Sequence, residues 1–422
     1  MDKYYVKLKA LSPIHIGSGE TYEPTNYVID DGYLYEFDEI LFYKGLSESD
    51  KKRFLEIIEK NRNDSLFELF IFIKHRKKLA KECAYRKVQI SSGLQEYYNN
   101  NLGKITQKSD KKGIREFNQF IIEKSQILKN KNRLYIPGSS LKGAIITAYM
   151  EYLLKNDVNK YEYFINEKLS QELLLSDTIP LKTYEMIGYA LNKEKFEEDM
   201  IGPKKFIEVI FSNHKNQSTF ETTVSLKRYE QKFKYHIKIE ELIKAINSHY
   251  YPLFKKMFQN EEIKKVLGKG FKENFSNLKL RDNQFILRVG KHSGAEAVTI
   301  DGLRKILVKI AQIQNKKEEK NNIDKRIQRL HKKSRFESDK LEDLVVDFGM
   351  LRGSEKEIFQ MFDDFYYEPE RLENLVRQRK KLTINAILKE ATTMWVFGFN
   401  NKLEKNKHLP FGWVIGEVKE IH

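Results

Sequence analysis

Residues Leu134–Met150 read LYIPGSSLKGAIITAYM. Leu134 to Ile136 form a short apolar strand. Pro137-Gly138-Ser139-Ser140 turns the chain, and Lys142 and Gly143 stand at the mouth of an amphipathic helix. A helix opens with amides that lack intrahelical acceptors and with the positive end of its dipole. That makes a ready anion site. The order GxxxxGK[ST] is absent, so this is not a P-loop. Gly138, Ser139, Ser140, Lys142 and Gly143 suit a phosphodiester better than a nucleoside triphosphate, because no Mg²⁺ carboxylate follows. The plain alternative is that Ser139 or Ser140 only caps the helix and Gly143 only allows close packing.

Working outward, the same strand-then-glycine pattern occurs at Leu11 to Gly19 and at Val289 to Gly294, as a loose echo rather than a repeat. YYVKLKAL (Tyr4 to Leu11) alternates as a strand does, and HIGSGE follows it. NYVIDDGYLYEF (Asn26 to Phe37) reads as a hairpin turned by Asp31-Gly32. Ser47 to Lys60 reads as a helix capped by Ser47 or Ser49. Phe67 to Lys131 reads as mostly helical and contains the basic run Lys74 to Lys87, either a solvated helix face or an RNA-facing one. KFIEVIFS (Lys205 to Ser212) and TFETTVSLK (Thr219 to Lys227) read as a strand pair. Helix is expected from Ile237 to Leu267, then a strand at Asn283 to Gly290. Gln312 to Asp343, rich in both charges, reads as an exposed helical pair or insertion, and Arg371 to Lys381 as a basic helix end. MWVFGF and PFGWVIGEVKEI close the chain as strands. The sum is α+β with antiparallel sheets and a boundary near Glu240. That gives domains 1–240, with a helical insertion at about 45–131, and 241–422, with a charged helical insertion at about 312–385.

The 422 residues are 40% hydrophobic and 32% charged, which suits a globular chain with a sizeable core. Lys and Arg exceed Asp and Glu by 76 to 60, a net charge of +16. Such a surplus favours a polyanionic partner through steering and counterion release. A single cysteine, Cys83, excludes a disulfide and a Cys-rich zinc site. No basic-then-apolar leader opens the sequence and no apolar run is long enough for a bilayer, so a cytoplasmic setting without membrane contact is expected.

Catalytic and metal signatures are sparse. The nine histidines are scattered without HxH, HExxH or HxD spacing, and GxSxG is missing, so no metal, cofactor or catalytic residue is assigned. His15 lies at a strand end with no partner named by the sequence, as a general base would need. His292 in GKHSG stands similarly. The loop from Gly290 to Gly294 offers to wrap a phosphate with Arg288 and Lys291, or to be a basic hairpin tip.

LSPIHIGSGE, YIPGSSLKGAI and LRVGKHSG together resemble the RAMP proteins of CRISPR effector complexes. YVIDDGYLYEFD, LLLSDT, FILRVG and LPFGWV extend the likeness to the type III-A Csm-complex subunit that caps the filament near the 3′ end of the CRISPR RNA. The resemblance implies an RRM-like, ferredoxin-like core with glycine-rich loops along one face, large helical insertions and a second α+β domain. It implies an RNA-binding subunit, without catalysis, that holds guide RNA and aids its maturation. His15, Gly17 and Gly19 would form one RNA loop, and Gly138, Ser139, Ser140, Lys142 and Gly143 the loop on RNA phosphates. CRISPR RNA, target RNA, other RAMP subunits and host nucleases are the implied partners. In the related slicing subunit a catalytic Asp follows the first glycine loop. Here ETYEPTNYVID does not reproduce that segment, so slicing is not expected. The usual arginine after GSSLKGA is replaced by Ile146. The alternative is a RAMP endoribonuclease that processes CRISPR precursor RNA.

Overall fold

The computed structural model describes residues 1–60, 63–102, 120–155, 171–195, 204–227, 237–300, 305–312, 336–346, 349–352, 381–388, 391 and 393–420. The chain divides into two units, Met1–Ala297 with Thr393–His422, and Val298–Thr392. The boundary expected near Glu240 falls inside the larger unit. In the smaller unit, four strands run in the order Lys305–Gln312, Lys381–Leu388, Phe336–Val346, Gly349–Arg352. The charged stretch expected to be helical is thus a strand from Phe336 onward. Residues 313–335 and 353–380, with the basic helix end up to residue 380, lie outside the described residues.

Among the described residues the larger unit holds two large sheets and a two-stranded one, Ile127–Leu128 with Arg133–Leu134, and the α+β class holds. The first is antiparallel, in the order Ile179–Lys182, Thr219–Leu226, Asp2–Ala10, Trp413–Glu420, Gln284–Arg288. Alternation in the first strand buries Val6, Leu8 and Ala10 and exposes Lys3, Lys7 and Lys9. Helices Gly138–Leu154 and Ile239–Gln259 pack on each other and on this sheet. The second sheet has the order Gly17–Tyr22, Ile122–Ser125, Lys205–Phe211, Tyr184–Glu194, Ala84–Ile90, Tyr33–Phe37, Tyr27–Asp30. One continuous apolar core, from Val6 to Val418, joins both sheets and the two helices. A satellite core around Phe37, Phe42 and Phe72 sits under the short helices of residues 39–82.

Several expectations hold and several fail. The Asp31-Gly32 hairpin forms with both residues at positive φ, and Ser47 caps the Glu48–Glu59 helix. The strands Lys205–Phe211 and Thr219–Leu226 do not pair. They lie in different sheets, and the turn between them carries the chain from one to the other. The insertion expected to be helical over 45–131 contains Ala84–Ile90, a strand inside the second sheet. Its alternation is masked because Arg86 occupies an inward position, beside Val88 and Ile90. The basic run Lys74–Lys87 is therefore split between helix ends and that strand, and two of its lysines, Lys77 and Lys81, pair with Asp30 at 2.5 and 2.8 Å.

Candidate nucleic-acid interface

The first and third glycine loops meet. Lys291 N–H donates to His15 O (2.8 Å), and the two residues form an isolated antiparallel bridge. Gly290 has φ +88, and a Cβ there would stand 2.5 Å from His15 O, so only glycine permits this approach. The closing segment locks both loops. Gly412 N–H donates to Pro13 O (2.8 Å), Val289 N–H to Gly412 O (2.9 Å), and Leu11 N–H to Trp413 O (2.8 Å).

His15 is fully buried. Its Nδ1 lies 2.7 Å from Glu208 O, a carbonyl that can only accept, so this nitrogen carries the proton. Its Nε2 faces the Glu123 carboxylate at 3.5 Å. Glu123 also meets Lys291 Nζ at 2.5 Å and Lys205 Nζ at 3.2 Å. The His15 contact first, then these lysines against the opposing cost of burial, hold the Glu123 carboxyl far below the usual glutamate range. His292, at φ +69, stacks beside His15 with centroids 6.1 Å apart and packs on Trp395 and Phe411. Burial, aided by His15, lowers it to about 3, so its ring is neutral at physiological pH. Arg288 donates from Nε to Phe411 O (2.7 Å) with its guanidinium 5.2 Å from the Trp413 ring, and burial lowers it to about 10. Of the third loop, Lys291 is the exposed cation.

The middle loop is half closed. Helix Gly138–Leu154 begins at Gly138 with Pro137 as its cap residue, so neither Ser139 nor Ser140 is the N-cap. Gly138 is buried, and its N–H donates to Asp177 Oδ1 (2.8 Å). A Cβ there would meet Leu175 O at 2.7 Å. The first amide is therefore occupied by a carboxylate, contrary to a direct phosphate contact at Gly138. The next turn is open: Ser139 and Gly143 are exposed, Ser140 and Lys142 half-buried, and a Cβ on Gly143 would touch nothing within 4 Å. Tyr250 Oη lies 3.1 Å from Ala144 O and 3.0 Å from Ala297 O, tying this helix to the segment after the third loop. Gly17 is exposed on the opposite flank of the first loop, and Gly19, at φ +86, has open space around it.

The structure thus brings together the first and third loops, which are distant in sequence, and through Tyr250 links the helix of the middle loop to Ala297 just after the third. It places Gly17, Gly19, Ser139, Gly143 and Lys291 outward, and His15, Gly138, Arg288 and His292 inward as supports. Sequence reading missed Glu123, Lys205 and Trp395, which carry no local signal. Asp177 lay within LLLSDT, whose carboxylate could have been suspected as a cap.

Two sheets joined by glycine turns, with lysines at the turns and a helix mouth between them, define an α+β protein that presents main chain and cations at its strand ends. The chain belongs to the RAMP superfamily, whose family model matches residues 7–330. In a cryo-EM structure of a Csm–crRNA–target RNA ternary complex of a type III-A CRISPR–Cas system, one chain has the same fold. The TM-score is 0.52 at 15% identity, over 98% of this chain and 100% of that one. The crystal structure of Csm5 from T. onnurineus aligns over 69% of this chain and 91% of its own, at 15% identity and a TM-score of 0.45. No curated protein matches.

Proposed function

We propose that the chain is a guide-RNA-binding subunit of a type III-A CRISPR effector ribonucleoprotein, without catalytic activity, seated where the CRISPR RNA ends at its 3′ side. Target RNA and other RAMP subunits are the further partners in this reading, the setting is the cytoplasm, and the subunit aids guide maturation. The observation that carries the reading is the junction of the first and third loops at His15 and Lys291, with Gly17, Gly19 and Lys291 exposed around it, together with the open helix turn Ser139–Gly143. Phosphate contacts there would give affinity without base readout. The endoribonuclease alternative needs a histidine that reaches RNA. His15 is sealed in the core with Nδ1 committed to Glu208 O, and His292 is wedged against Trp395.

Titration of single-stranded guide RNA over a salt series tests the reading. Lys142→Ala and Lys291→Ala are each expected to weaken binding and to flatten the log–log salt slope by about 0.7, one phosphate on a single strand. Unchanged affinity and slope in both variants would reject it. Metal-independent cleavage of labelled precursor RNA in EDTA would instead favour the nuclease.

A further inference from the structure

A cleft of about 450 Å³ opens beside the first glycine loop, between strands Gly17–Tyr22, Ala84–Ile90 and Ile122–Ser125. Its size lies within the range of about 300–1,000 Å³ typical of small-molecule sites. Its wall continues directly from the loop: Ser18 Oγ donates to Lys124 O (3.2 Å), and Gln126 N–H donates to Ile16 O (2.7 Å).

The floor is a dense charge network. Arg86 Nε donates to Tyr22 Oη (2.9 Å), one terminal nitrogen to Asn132 Oδ1 (3.0 Å), and the other to Glu185 (3.0 Å) and Glu208 (2.6 Å). Tyr22 donates in turn to Glu208 at 2.8 Å, and Ser125 N–H to the other Glu208 oxygen at 3.0 Å. The Arg86 bonds engage four of the five N–H donors of the guanidinium and set it against two carboxylates, which disfavours a phosphate there. Three carboxylates line the space, Glu20, Glu36 and Glu208, and they repel an anion. Carboxylate oxygens accept hydrogen bonds, so the interior fits a neutral group that donates N–H. At the rim, Lys124 is paired with Glu36, and Lys129 is exposed. Tyr85 is 61% exposed, and its ring offers a flat face at the edge of the cleft.

We infer that this cleft receives one nucleobase of a single-stranded RNA that crosses Gly17–Gly19, with Tyr85 as its stacking face and Lys129 beside the adjoining phosphate. The inference rests on the RNA-binding reading above and adds a base-sized site to it. Adenine, cytosine and guanine carry exocyclic amino donors for the carboxylates, whereas uracil offers only its N3–H, flanked by two carbonyls that the carboxylates repel. The site therefore discriminates against uracil.

The experiment is an abasic scan. RNAs with one abasic nucleotide at each successive position are titrated against the full chain and against Tyr85→Ala and Tyr85→Phe. With the wild-type chain, one position is expected to lose about tenfold in affinity, the worth of one base stacked on an aromatic ring. At that position uridine binds more weakly than adenosine. Tyr85→Ala shows the same tenfold loss with intact RNA, an unchanged salt slope and no further loss with the abasic strand, while Tyr85→Phe behaves as wild type. RNA binding that is equally tolerant of an abasic nucleotide everywhere, or an abasic loss undiminished in Tyr85→Ala, overturns the base site and leaves the phosphate reading standing. Absence of salt-dependent RNA binding by the wild-type chain overturns both.

Discussion

Truncating Arg86 to alanine is the sharpest test of how the second sheet is held. Arg86 is 7% exposed and contacts four groups drawn from four segments: Tyr22, Asn132, Glu185 and Glu208. Its loss leaves Glu208 with Tyr22 Oη and Ser125 N–H as donors but no cation, in a site where the carboxylate is 2% exposed. Glu185 keeps the Leu134 N–H at 2.9 Å and the charge of nearby Arg133. Burial already holds the Glu185 carboxyl above the ordinary glutamate value, with Arg86 opposing it. Breaking a buried pair costs about 3–5 kcal/mol, because the surviving charge stays desolvated. Two carboxylates are stranded here, and each retains a neutral donor, so a loss of about 4 kcal/mol is expected. Urea unfolding at neutral pH measures it. Glu208→Gln made in the Arg86→Ala background should restore part of the loss, and the double-mutant cycle should show coupling of about 1–3 kcal/mol. The deficit should also shrink toward acid, as the stranded carboxylates take up protons. An Arg86→Ala loss under about 1 kcal/mol, or additive effects in the cycle, would refute the claim that this network anchors the sheet.

Other expectations concern the loops. Gly143→Ala should stabilise the helix by about 0.5–1 kcal/mol, since its Cβ meets nothing within 4 Å, yet weaken RNA binding if the main chain approaches the RNA there; thermal melts and RNA titration separate the two effects. Gly290→Ala should destabilise by roughly 1–3 kcal/mol through its positive φ and the His15 carbonyl, read by urea unfolding. For pH, His292 is depressed to about 3. The unfolded chain protonates it below about 6.5 while the folded chain does not, so stability falls with pH through that window, by about 2 kcal/mol at pH 5. His292→Asn, which tolerates the left-handed backbone, should flatten that limb of the curve. Glu123, also depressed, adds stability that is present above its unfolded value near 4.3 and lost as pH falls further.

The glycine loops were legible because glycine, proline and hydroxyl residues at strand ends are local signals. So were the Asp31-Gly32 hairpin and the Ser47 cap, each set by a few adjacent residues. What escaped was non-local. Strand Ala84–Ile90 was hidden because an arginine at an inward position reads as surface until Glu185 and Glu208, some 100 residues later, are known to face it. The misplaced pairing of Lys205–Phe211 with Thr219–Leu226 has the same origin. Short separation favours a hairpin, but each strand has a better partner far along the chain. At the site, sequence could name His15 and Arg288 as polar residues in loops. It could not show that one is buried among its partners and the other packed on Trp413.

The strand Trp413–Glu420 lies between Asp2–Ala10 and Gln284–Arg288, so Tyr4 pairs with Glu420. A ribosome that has delivered the first 400 residues leaves Asp2–Ala10 with one bare flank and Gln284–Arg288 with no neighbour in its sheet. Closing that gap is a late event with high loop entropy, and it should be the slow step of folding. A nascent chain would meanwhile carry an unsealed sheet to which chaperones or stray strands could add. The same insertion makes truncation before Trp413 far more damaging than its small size suggests.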